Sequence, residues 1–219
     1  MSQIRLMIVS PCQNGMTHSL FTISLIRSIK VLERARVSVS LVLQPTGSLL
    51  AYERNILLQT FMNSNCTHLL CIDSDIAWEM NAPLKLLNHN KEFVCATYKI
   101  RAGDHQGYVI TRLSKEEEIH DGDLIKIDKV GFGFVLLKRD AVQKMQNKFS
   151  ELYFKNEAFD GYGFFSMENI NGEFMGEDYA FCHRARLADI DIWCDTNITL
   201  NHAGKVGNYK EFLQTKNRE

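Results

Sequence analysis

The sequence predicts an α/β protein built on a largely parallel sheet flanked by helices, and two observations carry that reading. Short apolar segments alternate with stretches of helical period through the first half of the chain, and the strand-like run His68-Leu69-Leu70-Cys71-Ile72 ends abruptly in Asp73-Ser74-Asp75. Repeated β-α units of this kind form parallel sheets, whose ligands gather outside the carboxyl ends of the strands. The first strand is expected over Ile4 to Val9, and the helix after it carries an apolar stripe of Phe21, Leu25, Ile29 and Leu32. Val37, Val39, Leu41 and Leu43 alternate as a second strand, and a helix with Ile56, Leu57, Thr60 and Phe61 leads to the acid-bearing strand. Pro11, Gln44 and Asp73 should then emerge at one edge of the sheet. A helix near Pro83 to Asn88 precedes a strand from Phe93 to Tyr98. Beyond a polar region with the solvated acid run Glu116-Glu117-Glu118, Leu124 to Val130 alternates as a half-exposed strand. Gly131-Phe132-Gly133-Phe134-Val135-Leu136-Leu137 then leads into a helix beginning near Arg139. Gly176-Glu177-Asp178-Tyr179 precedes a helix in which Phe181, Ala185 and Ala188 share a face, Ile190 to Asp195 reads as a strand, and His202 falls in a loop followed by Gly204.

With 219 residues, 45% hydrophobic and 23% charged, the chain is expected to form one domain over residues 1–219 around a substantial core. A formal charge of -1, a pI near 6.7 and the lack of a basic stripe interleaved with aromatics exclude a protein that holds nucleic acid by bulk electrostatics. Met1-Ser2-Gln3-Ile4-Arg5 runs directly into a strand, and no apolar stretch approaches the ~20 residues of a membrane span, so a cytoplasmic protein without a transmembrane segment is expected. Cys12, Cys66, Cys71, Cys95, Cys182 and Cys194 form no C-x-x-C pair, which fits reduced thiols acting as small apolar core residues.

Three groups of residues carry candidate chemistry. Asp73 and Asp75, one residue apart where a strand ends, suit Mg²⁺ or Mn²⁺, because hard cations prefer oxygen ligands; aspartates also cap turns and helices at such places. Glu177 and Asp178 open a helix, where acids favour the positive end of the helix dipole, and either carboxylate there can also serve as a general base for a hydroxyl. His202 offers a nitrogen to a metal site that two aspartates leave incomplete, or is an ordinary polar loop residue. Gly131 and Gly133 do not complete a dinucleotide-binding fingerprint, since the third glycine is missing.

Taken in order, Tyr52-Glu53-Arg54-Asn55 with Asp73-Ser74-Asp75, the segment Val130 to Leu136, and Gly176-Glu177-Asp178-Tyr179-Ala180-Phe181-Cys182 through His202 resemble the GT-A class of nucleotide-sugar glycosyltransferases. The likeness is greatest to compact enzymes of large DNA viruses and some bacteria, with an Anp1-type mannosyltransferase flavour around Arg54-Asn55 and the acid pair. It implies a GT-A (Rossmann-like) single domain with a mainly parallel central sheet and a small additional antiparallel sheet. The implied activity is transfer of a sugar from a UDP- or GDP-linked donor to a hydroxyl of a glycan or glycoprotein, in the host cytoplasm if a virus encodes the chain.

The resemblance also assigns residues. Asp75 would bind Mn²⁺ or Mg²⁺ directly, Asp73 directly or through water and ribose, and His202 would complete the metal site. Arg54, Asn55, Ser74, Pro11 and Lys205 would line the nucleotide and diphosphate. Asp178 would be the base, with Glu177 second, and residues 131–134 would form a wall of the sugar and acceptor pocket. Two alternatives stand beside this reading. A haloacid-dehalogenase-like phosphatase also carries two aspartates one residue apart after a strand, although Ile76-Ala77-Trp78 departs from its usual continuation, and a sugar-nucleotide or glycan-binding module keeps such a fold without turnover.

Overall fold

The computed structural model of the chain describes residues 3–47, 49–101, 107–155, 157, 159–170, 172–203 and 205–216. In chain order these form β1 (Arg5–Gln13), α1 (Ser19–Arg34), β2 (Ser38–Thr46), α2 (Leu50–Asn63), β3 (His68–Ile72), β4 (Ile76–Trp78), α3 (Ala82–Asn88) and β5 (Phe93–Cys95). Next come β6 (Ile110–Arg112), β7 (His120–Asp121), β8 (Leu124–Val130), β9 (Phe134–Lys138), α4 (Arg139–Lys148), β10 (Tyr153–Lys155) and β11 (Asp160–Tyr162). The chain finishes with β12 (Glu168–Ile170), β13 (Glu173–Met175), α5 (Glu177–Leu187), β14 (Ile192–Asp195), β15 (Thr199–His202), β16 (Lys205–Asn208) and α6 (Tyr209–Lys216).

The central sheet has the order β2-β1-β3-β9-β5-β14-β8-β6, with β7 also paired to β8. β1 lies parallel to both β2 and β3, and β5 parallel to β14. β9 runs antiparallel between β3 and β5, and β8 antiparallel to β14, β6 and β7. The expected common strand direction thus holds apart from these two reversed strands. Three smaller antiparallel sheets surround it: β16-β15-β4, β10-β11 and β12-β13.

Both faces of the central strands are covered. β3 and β9 are apolar and buried along nearly their whole lengths, the pattern of strands with helices on either side. Phe61 of α2, Val142 of α4 and Phe181 of α5 pack on one face with Phe93, Phe132 and Phe165. Phe21, Leu25 and Leu32 of α1 and Leu86 of α3 pack on the other with Trp78 and Phe134. The expected α1 stripe is therefore the buried one, with Ile29 partly buried beside it. The second strand forms as expected, and Leu41 and Leu43 stand exposed on it, β2 being the outer strand that pairs with β1 alone. All six cysteines are free and buried. Among the described residues, no helix is long and apolar enough to cross a membrane.

Arg139, the first residue of α4, ties that helix to the end of α2. Its guanidinium donates to the carbonyls of Phe61 (2.8 Å), Met62 (3.1 Å), Ser64 (3.0 Å) and Cys66 (2.7 Å), and it lies over the Phe61 ring at 4.6 Å. These carbonyls lie at and just beyond a helix C-terminus, where a cation also complements the dipole. Arg139→Ala is expected to lower stability by about 2–4 kcal/mol, since several carbonyls lose charged donors together. A urea unfolding curve checks this, and an unchanged midpoint would refute the capping role.

Candidate functional site

The carboxyl ends of β1, β2 and β3 frame a cleft of about 390 Å³ whose lining includes Pro11, Asn14, Thr46, Asp73, Ser74 and Asp75. The turn that carries the acid pair is pinned on several sides. The Asp73 N–H donates to the Gly133 carbonyl (3.2 Å), the Ile76 N–H to the Asp73 carbonyl (3.0 Å), the His18 N–H to the Ser74 carbonyl (2.8 Å) and the Ala203 N–H to the Asp75 carbonyl (3.0 Å). One bond within the turn and backbone bonds to three other segments thus fix where both carboxylates leave the sheet.

Asp73 and Asp75 turn to different partners. Arg54 of α2 is only 4% exposed; its Nη2 lies 3.0 Å from Asp73 Oδ1 and its Nε 3.1 Å from Asp178 Oδ1. The first is an aligned hydrogen bond, the second a close charge contact without that alignment. The Phe132 N–H donates to Asp178 Oδ2 at 2.9 Å, and the Phe132 and Phe165 rings flank the guanidinium at 5.8 and 6.0 Å. One buried cation between two carboxylates leaves the trio with excess negative charge. Burial pushes the Asp178 carboxyl up to about 6, with Arg54 opposing and Asp73 reinforcing the rise. Burial alone would lower the Arg54 guanidinium, but Asp178 and Asp73 hold it well above its ordinary value. Its Nε and Nη2 thus face carboxylates, and the side chain is enclosed.

Asn55 is also enclosed. Its Oδ1 accepts from the Phe165 N–H at 3.1 Å and its Nδ2 donates to the Ala51 carbonyl at 3.0 Å, so it clamps core backbone and does not line the cleft. In the Gly131–Phe134 segment Phe132 and Phe134 are fully buried. Its glycines serve packing. A Cβ at Gly133 would sit 2.4 Å from Tyr98 Cε1, and one at Gly131 2.6 Å from the Tyr98 hydroxyl, so the tyrosine ring can lie there only against bare backbone.

Asp75 faces His202 across the β4-β15 pairing, with Oδ2 at 3.4 Å from Nε2. His202 Nδ1 lies 2.9 Å from the Lys99 carbonyl; a carbonyl only accepts, so Nδ1 carries the proton and Nε2 is turned toward Asp75. Tyr98 packs edge-on against the imidazole at 4.9 Å. The histidine contact, more than the nearby Arg101, holds Asp75 below the usual carboxylate range, and Asp75 in turn raises His202. Arg101 Nη1 reaches Asp75 Oδ2 at 3.1 Å. Lys205 starts β16 and pairs with His202 in register. Glu177 and Asp178 occupy the first turn of α5, both half-buried, where the helix dipole favours acids.

The three acids and bases expected to meet as Asp73, Asp75 and His202 therefore divide into Asp75 with His202 and Asp73 with Arg54. Among the described residues no three His, Cys, Asp or Glu side chains form a metal-holding group. Arg101 and Tyr98 were not anticipated. Tyr98 lies at the carboxyl end of an expected strand, a signal that was available, whereas Arg101 depends on a loop path that no local pattern encodes.

No protein-family model and no curated protein matches the chain. Among solved structures, A197 from STIV matches with a TM-score of 0.51 at 19% identity, covering 91% of this chain and 85% of that one. The chain shares the fold of A197. TarS of S. aureus, residues 1–349, in complex with UDP-GlcNAc matches with a TM-score of 0.44 at 13% identity, over 87% of this chain and 56% of that one. A glycosyltransferase involved in the glycosylation of the major capsid of PBCV-1 matches with a TM-score of 0.35 at 10% identity, over 71% and 68%. The A197 likeness establishes architecture, and chemistry must be argued from the side chains on that fold.

Arg54→Met is expected to cost about 3–5 kcal/mol, because two half-buried carboxylates lose the buried cation they share. Adding Asp178→Asn to that variant should restore part of the loss. Chemical denaturation of the single and double variants decides the matter, and wild-type stability for Arg54→Met would show that the cation is dispensable.

Proposed function

We propose that residues 1–219 act as a single GT-A glycosyltransferase domain that moves a sugar from a UDP- or GDP-linked donor to a hydroxyl of a glycan or glycoconjugate in the cytoplasm. The observation that carries the reading is a strand-end carboxylate pair on the wall of a nucleotide-sized cleft, with Asp75 facing an imidazole whose other nitrogen is already committed to a carbonyl.

The residues fit a divalent cation. Asp75 and His202 offer one oxygen and one nitrogen donor, which suits Mn²⁺ and leaves room for phosphate oxygens and water. The Lys99 carbonyl supplies the outer hydrogen bond that metal-bound histidines use to fix their tautomer. The surplus negative charge of the Arg54 trio adds to the attraction for a cation. Asp73 would take part directly or through water and ribose. When bound, the cation lends positive charge to the departing diphosphate.

The remaining roles belong to the chain. Pro11 and Ser74 line the cleft, and Arg101 and Lys205 would supply positive charge to a diphosphate. Asp178 accepts the proton of the acceptor hydroxyl; a carboxyl pushed up to about 6 is matched to a base working near neutrality. Arg54 positions it and Asp73, and Glu177 on the same turn is the second candidate. A haloacid-dehalogenase-like use of Asp73 as nucleophile is disfavoured by its hydrogen bond to Arg54.

The decisive experiment is thermal unfolding with UDP, GDP and their sugars, each with and without Mn²⁺, since a ligand that binds only the native state raises apparent stability. A Mn²⁺-dependent rise with one nucleotide is expected, lost in Asp75→Ala and weakened in His202→Ala. No rise with any nucleotide would sink the proposal. Asp178→Asn should leave that rise intact and cut sugar transfer by roughly 10²-fold or more, the scale of a lost general base. Undiminished transfer would remove Asp178 from the mechanism, and metal-dependent binding without transfer in the wild type would make the chain a binding module.

A further inference from the structure

The outward face of α1 is unlike an ordinary solvated helix face. Leu20, Ile23, Arg27, Lys30 and Arg34 recur at alternating spacings of three and four, which places them in one stripe along the helix. The buried stripe of Phe21, Leu25 and Leu32 lies on the other side, so the outward stripe carries no packing duty. Leu20, Ile23 and the adjacent Ile26 are 39%, 43% and 52% exposed. Arg27, Lys30 and Arg34 are exposed as well, and none of them forms an ion pair among the described residues. Glu33 is the one carboxylate in the helix, set beside the stripe near its end. Arg36, two residues past the helix end, is also exposed. In a chain whose formal charge is -1, this is a concentrated positive strip with an aliphatic end.

We propose that this face of α1 docks on an anionic lipid bilayer. A surface helix that mixes aliphatic side chains with Lys and Arg lies in the interface, the aliphatics entering the headgroup boundary while the cations meet lipid phosphates and carboxylates. The charge argues for lipid over a second copy of the chain, because self-association through the stripe would bury Arg27, Lys30 and Arg34 without carboxylates of their own to meet. The apolar end leads toward the cleft. Met16, 67% exposed, precedes α1 and donates its N–H to the carbonyl of Gln13, while the His18 N–H holds the Ser74 carbonyl of the acid-bearing turn. Docking would thus bring the cleft mouth to the bilayer surface. This inference stands on α1 alone and does not depend on the transfer chemistry.

Co-sedimentation of the full chain with phosphatidylcholine–phosphatidylserine vesicles tests it, with phosphatidylcholine vesicles as the comparison and no nucleotide or metal present. Binding to the anionic vesicles that weakens with added salt is expected. The triple change Arg27→Gln, Lys30→Gln, Arg34→Gln should reduce partitioning roughly 10²-fold, given about one tenfold step or slightly less per cation near the surface. Ile23→Ser with Ile26→Ser should also weaken it, with an unchanged thermal midpoint showing that the fold survives. Asp75→Ala should bind vesicles like the wild type, which separates this test from that of the donor site. No binding at low salt, or equal binding by the triple variant, would overturn the proposal. A dimer seen by light scattering that Ile23→Ser with Ile26→Ser abolishes, without vesicle binding by the wild type, would assign the face to a second copy instead.

Discussion

The structure hinges on one guanidinium. Arg54 reaches from α2 to the end of β3 through Asp73 and to the start of α5 through Asp178, joining an early β-α unit to an element from the last quarter of the chain. A buried ion trio of this kind adds little net stability, because desolvating three charges offsets most of their attraction. Its effect is on alignment. The guanidinium donates an aligned hydrogen bond to Asp73 and lies in close charge contact with Asp178, which also accepts from the Phe132 N–H, so β3, α5 and the Phe132 backbone are held in one relative position. The strand end at the cleft and the start of α5 acquire a fixed spacing from this contact, and two core rings flank the guanidinium.

A second line of packing supports the other half of the site. Tyr98 lies against the bare backbone of Gly131 and Gly133 on one side and against the His202 ring on another. The imidazole is thus placed by a tyrosine whose own position is set by two missing side chains. Residues that never face the cleft decide whether Asp75 and His202 meet.

Much of this was legible in the sequence. The span Leu124 to Val130 is a strand to the residue, α3 covers the segment expected to be helical, and α4 begins at Arg139. Period and turn residues encode such features locally. The acid pair at the end of β3 was legible for the same reason. Pairing was not. The run Phe134 to Leu137 is equally apolar whichever way it points, so nothing local says that β9 runs backwards between β3 and β5. The side-chain partners of Arg54, Asn55 and His202 were hidden similarly, because each joins segments far apart in the sequence. Leu41 and Leu43 alternate as buried strand residues do, yet β2 ended at the rim of the sheet, a fact about neighbours and not about itself.

The placement of β9 also dictates an order of assembly during synthesis. β2, β1 and β3 are complete once residue 72 has emerged, and they can form a half-sheet with α1 and α2 packed on it. β5 emerges soon afterwards but has no place in that half-sheet, since the strand between it and β3 is made only at residues 134–138. Until then β3 offers an open, apolar edge to any passing strand, and domains that wait on distant pairings fold slowly and are prone to association. β9 works as a keystone: its arrival closes the β3 edge, recruits β5 and, through β5, gives β14 its parallel neighbour. A ribosome-bound chain would therefore pass from a sticky half-sheet to a closed one within the few residues that deliver this single strand.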